Sequence, residues 1–368
     1  HVDHAHGLEQ LGLGLALRVL TEVELAGGAG RKDVVEEVVE VRERDPLPHR
    51  DAEEIRVEAL IALADQSRRV LLEGLGAYSN VHIHWDARFT EVLRRGRQVI
   101  GARAVEGGQE RDFFSFVTVG SDGAGSPVRE ALGIGCRMKR YANGFLGMLV
   151  RRPEGFEGGV RYYLGRGEIL GCFPYSPGML CLLYMVPASS LRTMDEHTLA
   201  SVRTRIGAIE PSLKHVCGDL ATRDQVSVLT PRQVRAKTWI ADGAALMGDA
   251  AHACHPHVAQ GGFQAMEDAK VLAAVLESCF SRGDFSARAR AAYEQARRPV
   301  IERLQRVADE YVWLWETSNP LLAWLRDRIF ANVGKRPKLL YRVAATEAGI
   351  EPRPLTFLER FQALGVGA

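Results

Sequence analysis

The six cysteines of this 368-residue chain (Cys136, Cys172, Cys181, Cys217, Cys254 and Cys279) include no Cys-x-x-Cys pair. That absence argues against a thiol-redox motif or a ribbon-type zinc site, and reduced thiols in a cytoplasmic protein are expected. No apolar run reaches the roughly 18 residues of a membrane-spanning helix. The N-terminus lacks a basic stretch leading into an apolar one, so no export signal is expected. Charge of one sign is missing too: 47 Lys and Arg face 46 Asp and Glu, a net +1. Without a basic block interleaved with aromatics, a nucleic-acid partner is not expected. A G-x-S-x-G elbow is absent as well, which argues against a hydrolase. The chain opens on His1 rather than Met, as a fragment or a processed start would.

Apolar residues make up 46% and charged residues 25%, an ordinary globular balance, and the length suggests two packed units. In the first fifty residues, Gly12-x-Gly14 and Gly28-x-Gly30 invite comparison with G-x-G-x-x-G. Leu17 and Asp33 stand where the third glycine belongs, so both clusters read as turns. His1, His4 and His6 read as a frayed terminus. Asp51 to Gly76 reads as a helix with Leu60, Leu63, Leu71 and Leu75 on one side. Strand-like segments follow around Val81–Trp85, Glu91–Leu93, Val99–Val105 and Phe113–Val119.

Two turns carry the chemistry. Val119-Gly120-Ser121-Asp122-Gly123 ends a strand in a glycine-rich bend, and Ser126-Pro127 suits the start of a helix. Further on, the apolar run Ala244–Met247 meets Gly248-Asp249, and a helix opens near Gln260-Gly261. Strand, acidic turn and helix N-terminus in that order place a ligand at the carboxyl end of a sheet. Between the turns, residues 144–152, 160–164, 168–173 and 179–186 are β-favouring runs punctuated by glycines, and His197–Ile209 is helical. After the second turn come helical patterns over Gln260–Phe280 and Phe285–Trp315, with a break or kink expected at Pro299. The amphipathic segment Leu321–Phe330 reads first as packing on its own domain and second as a peripheral membrane or partner contact.

Gly248-Asp249-Ala250-Ala251-His252, Pro256, Gln260-Gly261 and Asp268-Ala269 resemble the second FAD motif of the flavin-dependent aromatic hydroxylases, the para-hydroxybenzoate hydroxylase-like monooxygenases. Asp122-Gly123, with Ser126 and Arg129 downstream, resembles their middle motif. The resemblance is visible from about Asp51 onward; the family's N-terminal dinucleotide-binding motif is not recognisable here. It implies an α+β fold: a Rossmann-like, glutathione-reductase-type FAD/NAD(P)-binding domain, an inserted antiparallel β-sheet substrate domain and C-terminal helices. The expected boundaries are 1–135 and 231–280 for the FAD domain, 136–230 for the insert and 281–368 for the helices.

By the same resemblance, FAD is the cofactor, NAD(P)H the co-substrate and O2 the oxidant, acting on an aromatic small molecule. Cofactor contacts are expected from Asp122, Gly123, Gly248, Asp249, Pro256, Gln260, Gly261 and Gly262. The pocket in the insert would draw on Tyr162, Tyr163, Phe173, Tyr175 and Tyr184. No catalytic side chain is singled out, and a homodimer is among the expectations. Asp249, His252, Cys254, His255 and His257 crowd one turn, but without a second ligand pair no metal site is expected. Ala259 stands where the family has glycine, tolerable if its backbone angles are ordinary. Phe263 replaces the usual Asn near the flavin edge. A truncated or degenerate homologue acting as a binding or scaffold protein, or a flavin-dependent reductase, is the alternative.

Overall fold

The computed structural model describes residues 69–156, 160–176, 178–192, 195–219, 225–347 and 355–365. The glycine clusters, the N-terminal histidines and most of the helix expected over 51–76 lie outside the described residues; 69–75 are helical. Strands β1 (Arg88–Arg95), β2 (Gln98–Glu106) and β3 (Gln109–Phe114) form an antiparallel meander. Residues 81–84 are not a strand, and the segment expected over 113–119 divides. Its second part is β4 (Thr118–Gly120), which belongs to a different sheet.

Helix α1 (Pro127–Ala131) starts as its residues dictate, with proline in the first turn and the Ser126 hydroxyl accepting from the Arg129 N–H at 2.9 Å. Strands β5 (Cys136–Arg140), β6 (Asn143–Arg151), β7 (Arg161–Leu164), β8 (Ile169–Ser176) and β9 (Met179–Pro187) follow. After α2 (Glu196–Ile209) come β10 (Val226–Leu229) and β11 (Arg232–Ala236). β6 to β10, without β5, make one antiparallel sheet in the order β10-β6-β9-β8-β7. β6 is buried from Gly144 to Val150 on both faces, which is why it reads as a continuous apolar run rather than an alternation.

The two faces of this sheet have different partners. Leu146, Met148, Leu170, Leu182 and Tyr184 pack with Leu199, Val202 and Ile206 of α2. Phe145, Ile169 and Met185 point the other way and pack with Trp315. Because the side-chain period is two, neighbours in sequence face different partners.

Strands β12 (Ile240–Ala241) and β13 (Ala244–Leu246) complete a three-stranded sheet in the order β12-β13-β4. β13 runs parallel to β4, pairing Ala244 with Thr118 and Leu246 with Gly120. This register matters for everything downstream: both chemistry-bearing turns leave the same carboxyl edge side by side. A Cβ on Gly120 would stand 2.8 Å from Val128 and 2.9 Å from Leu246, so the close packing there requires glycine.

The remaining elements are helical: α3 (Asp249–His252), α4 (Gly261–Arg282), α5 (Ala291–Trp315), α6 (Pro320–Gly334), α7 (Pro337–Glu347) and α8 (Phe357–Ala363). The helix α5 continues through Pro299 without a break. Among the described residues, no helix is long and apolar enough to cross a membrane.

Candidate functional site

Where the two turns emerge, a cavity of about 430 Å³ is lined by Ala124, Leu229, Pro231, Arg232, Asp249, Cys254, Pro256, Ala259 and Gly261 among others. Asp249 opens into it from the first turn of α3. Its carboxylate is solvent-accessible but stands in a concavity, and the loss of surrounding water pushes its pKa up despite the nearby His252. Gly261 begins the 22-residue helix α4, whose N-terminus carries no side-chain cap, and a Cβ on Gly261 would lie 4.0 Å from Asp249 Oδ1. Free N–H groups and a carboxylate therefore share one cavity, a donor and an acceptor set for a polyhydroxylated, partly anionic ligand. The Cys254 thiol is pushed up to about 12 by burial and by Asp249, which keeps it protonated.

The turn itself is held from behind. Asp268 on α4 is fully buried; Oδ2 accepts the Gly248 N–H at 2.9 Å and meets His252 Nε2 at 2.5 Å, while Oδ1 accepts Arg297 Nε at 2.7 Å. Burial raises its pKa, but the hydrogen bond and charge of His252, with the hydrogen bonds from Arg297 and the Gly248 N–H, outweigh that and hold it low. Arg129 joins the two turns, donating to Ala250 O at 2.7 Å and Ala124 O at 3.0 Å. Gly248 is left-handed (φ 57°), and a Cβ there would stand 3.1 Å from Ala265.

Several expected cofactor contacts are placed differently. Both oxygens of Asp122 are taken within its own turn, by the Ser126 hydroxyl at 2.5 Å and the Val128 N–H at 2.9 Å. Asp122 thus caps α1, and among the residues of its turn Ala124, not Asp122 or Gly123, lines the cavity. Gln260 turns its side chain inward, donating to Thr346 O at 2.6 Å and accepting from Gln264 at 3.0 Å. Gly262 and Phe263 are exposed at the start of α4.

Ala259 departs from expectation: its angles are left-handed (φ 52°, ψ 21°), not ordinary. An L-residue there is strained, so Ala259→Gly is expected to raise stability by about 0.5–1 kcal/mol, net of the greater entropy of the unfolded glycine chain. Urea unfolding of the two proteins checks this; a lower midpoint for the glycine variant contradicts it.

Pro256 and Ala259 also border a second cavity of about 120 Å³, together with Phe145, Tyr162, Ile169, Phe173, Leu183 and His257. Tyr162 and Phe173 line it, their rings edge-on at 5.4 Å. Tyr163 and Tyr184 do not, because strand alternation puts them on the α2 side of the sheet. There the Tyr163 hydroxyl donates to Glu210 and the Tyr184 hydroxyl to Glu168. Tyr175 lies further along the Phe173 face, packed with Leu149 and Cys181.

Three groups near this cavity converge from distant sequence: His255, His257 and Glu316 have potential ligand atoms within 4.8 Å of one another. His257 Nε2 is 2.9 Å and His255 Nε2 3.3 Å from Glu316 Oε1. His255 Nδ1 accepts the His257 backbone N–H at 3.3 Å, which leaves its ring proton on Nε2, so this nitrogen is not a free ligand. The carboxylate is hydrogen-bonded by His257, while the buried His255 Nε2 stands beside it without a hydrogen bond. Glu316 had no local signal, since it follows the Trp313-x-Trp315 run at the end of α5.

The model of the FAD binding domain family matches residues 5–308 of this chain. The chain belongs to that family. The match begins well before Asp51, which corrects the expectation that likeness fails over the first fifty residues. Kynurenine 3-monooxygenase of Salinispora arenicola is 30% identical over 257 residues, covering 66% of this chain and 55% of that protein. Pseudomonas aeruginosa PqsL has a TM-score of 0.58 at 23% identity, over 68% of this chain and 69% of that one. A variant of Klebsiella pneumoniae HpxO complexed with FAD has a TM-score of 0.56 at 23% identity, over 70% and 67%. The expected α+β fold is borne out by these neighbours. The chain spans about half the length of the curated relatives it matches.

Proposed function

We propose that this chain is part of an FAD-dependent monooxygenase that uses NAD(P)H and O2 to hydroxylate an aromatic small molecule. The single observation that carries the reading is Asp249 facing the uncapped N-terminus of α4 across the larger cavity, with the smaller apolar cavity next to it beyond Pro256 and Ala259. Asp249 accepts hydrogen bonds from the hydroxyls of the ribityl chain. The N-terminal peptides of α4, from Gly261, stabilise negative charge on the ring, and Arg232 on the same wall suits a phosphate-bearing ligand. Bound FAD supplies redox exchange with NAD(P)H and the activation of oxygen.

The side chains of the smaller cavity hold the substrate ring and exclude water from it. Asp122, Gly123, Gly248, Gln260 and Gly262 support this site through the backbone of the two turns, whereas Asp249, Pro256 and Gly261 bound the larger cavity. Tyr162 and Phe173 form the aromatic wall. The domain division 1–135, 136–230, 231–280 and 281–368 suits this reading, with the larger sheet as the substrate lid over the flavin. Kynurenine, which the name of one relative gives as its substrate, supports an aromatic small molecule as the substrate class, and a homodimer in the cytoplasm is the simplest assembly.

The test is reconstitution of the purified chain with FAD. Stoichiometric quenching of flavin fluorescence and NAD(P)H oxidation that rises with an added aromatic acid or phenol are expected. A chain that binds no flavin and oxidises no NAD(P)H refutes the reading.

A further inference from the structure

Helices α5 to α8 enclose a further cavity of about 350 Å³, which shares no lining residue with the two cavities beside the turns. Protein interiors are close-packed and seldom leave a space larger than a water molecule, whereas small-molecule sites begin at roughly 300 Å³. The space therefore needs a reason.

Its walls are apolar because two core clusters stop short of each other. Val307, Tyr311 and Leu314 form a stripe at i, i+4 and i+7 on α5, and Ile329 and Val333 form one at i, i+4 on α6. Val307 and Tyr311 belong to the cluster around Leu304, while Ile329, Val333 and Val343 belong to the one around Leu339. The cavity lies between them. Its inner end is closed by Trp315, which is buried and stacks on Tyr311 at 4.9 Å. The same indole meets Tyr162 at 5.2 Å and His257 at 5.1 Å, and both of those line the smaller cavity. One ring thus divides the two spaces.

Polar groups stand at the open end. Glu310 and Arg360 line the cavity there, each about half exposed. Arg360 Nη2 donates to both Glu310 oxygens, at 2.8 and 3.0 Å, and Nε donates to Leu355 O at 3.0 Å. Among the described residues nothing accepts from Arg360 Nη1, and each Glu310 oxygen keeps a lone pair. Thr346 on the wall is already bonded to Arg342 through its hydroxyl.

This ion pair selects against charge. A carboxylate head at the mouth meets Glu310 and an ammonium head meets Arg360, whereas a hydroxyl accepts from Arg360 Nη1 and donates to Glu310. We propose that the cavity among the C-terminal helices is a separate small-molecule site, taking an uncharged aliphatic chain that ends in a hydroxyl. An apolar cavity of roughly 150 Å³ takes a benzene ring, so a chain of about eight to ten carbons suits this one. The chain lies along the apolar stripes with its methyl end toward Trp315 and its hydroxyl at the ion pair. Binding needs neither flavin nor a ring substrate, so the site stands independently of the monooxygenase reading.

Isothermal titration calorimetry on the whole chain at pH 7 tests this with 1-octanol, octanoate and octylamine, each below its aggregation limit. Wild type is expected to bind 1-octanol about tenfold more tightly than either charged probe. It should bind 1-hexanol about fifteenfold more weakly than 1-octanol, because each buried methylene is worth about fourfold. Glu310→Gln removes the negative half of an exposed pair at little cost to folding, and octanoate should then bind about as tightly as 1-octanol. Val343→Trp fills the cavity and should abolish binding of every probe. Nuclear Overhauser contacts from the octanol chain to an indole, lost in Trp315→Phe, locate the bound chain.

The proposal is overturned if wild type binds no 1-octanol, which would mean that the chain itself or a second copy closes the space. It is overturned equally if the three octyl probes bind alike, if octanoate gains nothing in Glu310→Gln, or if binding survives in Val343→Trp. The order of probes on wild type decides the matter even where the filled variant fails to fold.

Discussion

Asp268→Asn is expected to destabilise the chain by about 3–5 kcal/mol, the usual cost of removing one partner of a buried charge pair. The carboxylate is fully buried and serves three groups at once: the Gly248 N–H, His252 and Arg297. Arg297 is itself buried and would keep only its bonds to Gln264. An amide retains the shape but loses the charge, and its NH2 must face a donor on one side. The pH dependence follows from the lowered pKa of Asp268. A carboxylate held below its unfolded value contributes stability that is present above the unfolded pKa of about 3.9 and is lost as pH falls through the folded value. Wild type should therefore lose stability on acidification below about pH 4 more steeply than the Asn variant. Urea unfolding followed by circular dichroism at pH 7 and at pH 3 reads both effects. Equal midpoints at pH 7 would show that the network is dispensable.

Asp249→Ala is expected to weaken FAD binding by about 10- to 100-fold, the loss of a charge-assisted hydrogen bond to a hydroxyl. The FAD-free chain should respond in the opposite sense. Burial raises the Asp249 pKa, and a group with a raised folded pKa contributes stability present below the unfolded value and lost as pH rises through the folded one. At neutral pH the wild-type chain thus carries an ionised group it would rather protonate. Asp249→Asn should be more stable than wild type at pH 7 and indistinguishable from it in acid. Flavin titration and thermal melts of the three proteins measure the trade. A variant that loses stability and keeps its flavin affinity would place Asp249 among structural residues, as Asp268 is.

The contrast between these two aspartates shows how far the residues could be read alone. Both belong to the same motif, and nothing local says that one faces a cavity while the other is sealed under the turn. A signal for the second did exist: Tyr293, Arg297, Ile301, Leu304 and Ala308 form one buried stripe on α5, and a charge within such a stripe needs a buried partner. The aromatic wall was legible in the same partial way. The strands of the insert were readable from their glycine punctuation, but β6 and β9 are apolar on both faces, so their sequence does not say which face meets the cavity. Strand alternation sends Tyr162 and Phe173 to it and Tyr163 and Tyr184 away, but only the packed sheet shows which of the two faces that is.

By itself the sequence determined the family, the α+β class, the two turns and their order, because these depend on local chemistry: glycine where the backbone bends, proline and serine where a helix starts, an acid after a short apolar strand. Only the tertiary structure decided which groups meet. The parallel pairing of β4 with β13 sets the turns side by side, Asp122 is spent on capping α1, Ala259 is forced left-handed, and the end of α5 delivers Glu316 to His257. Those outcomes depend on contacts between residues far apart in the chain, and a spacing rule carries no information about a distance closed through space.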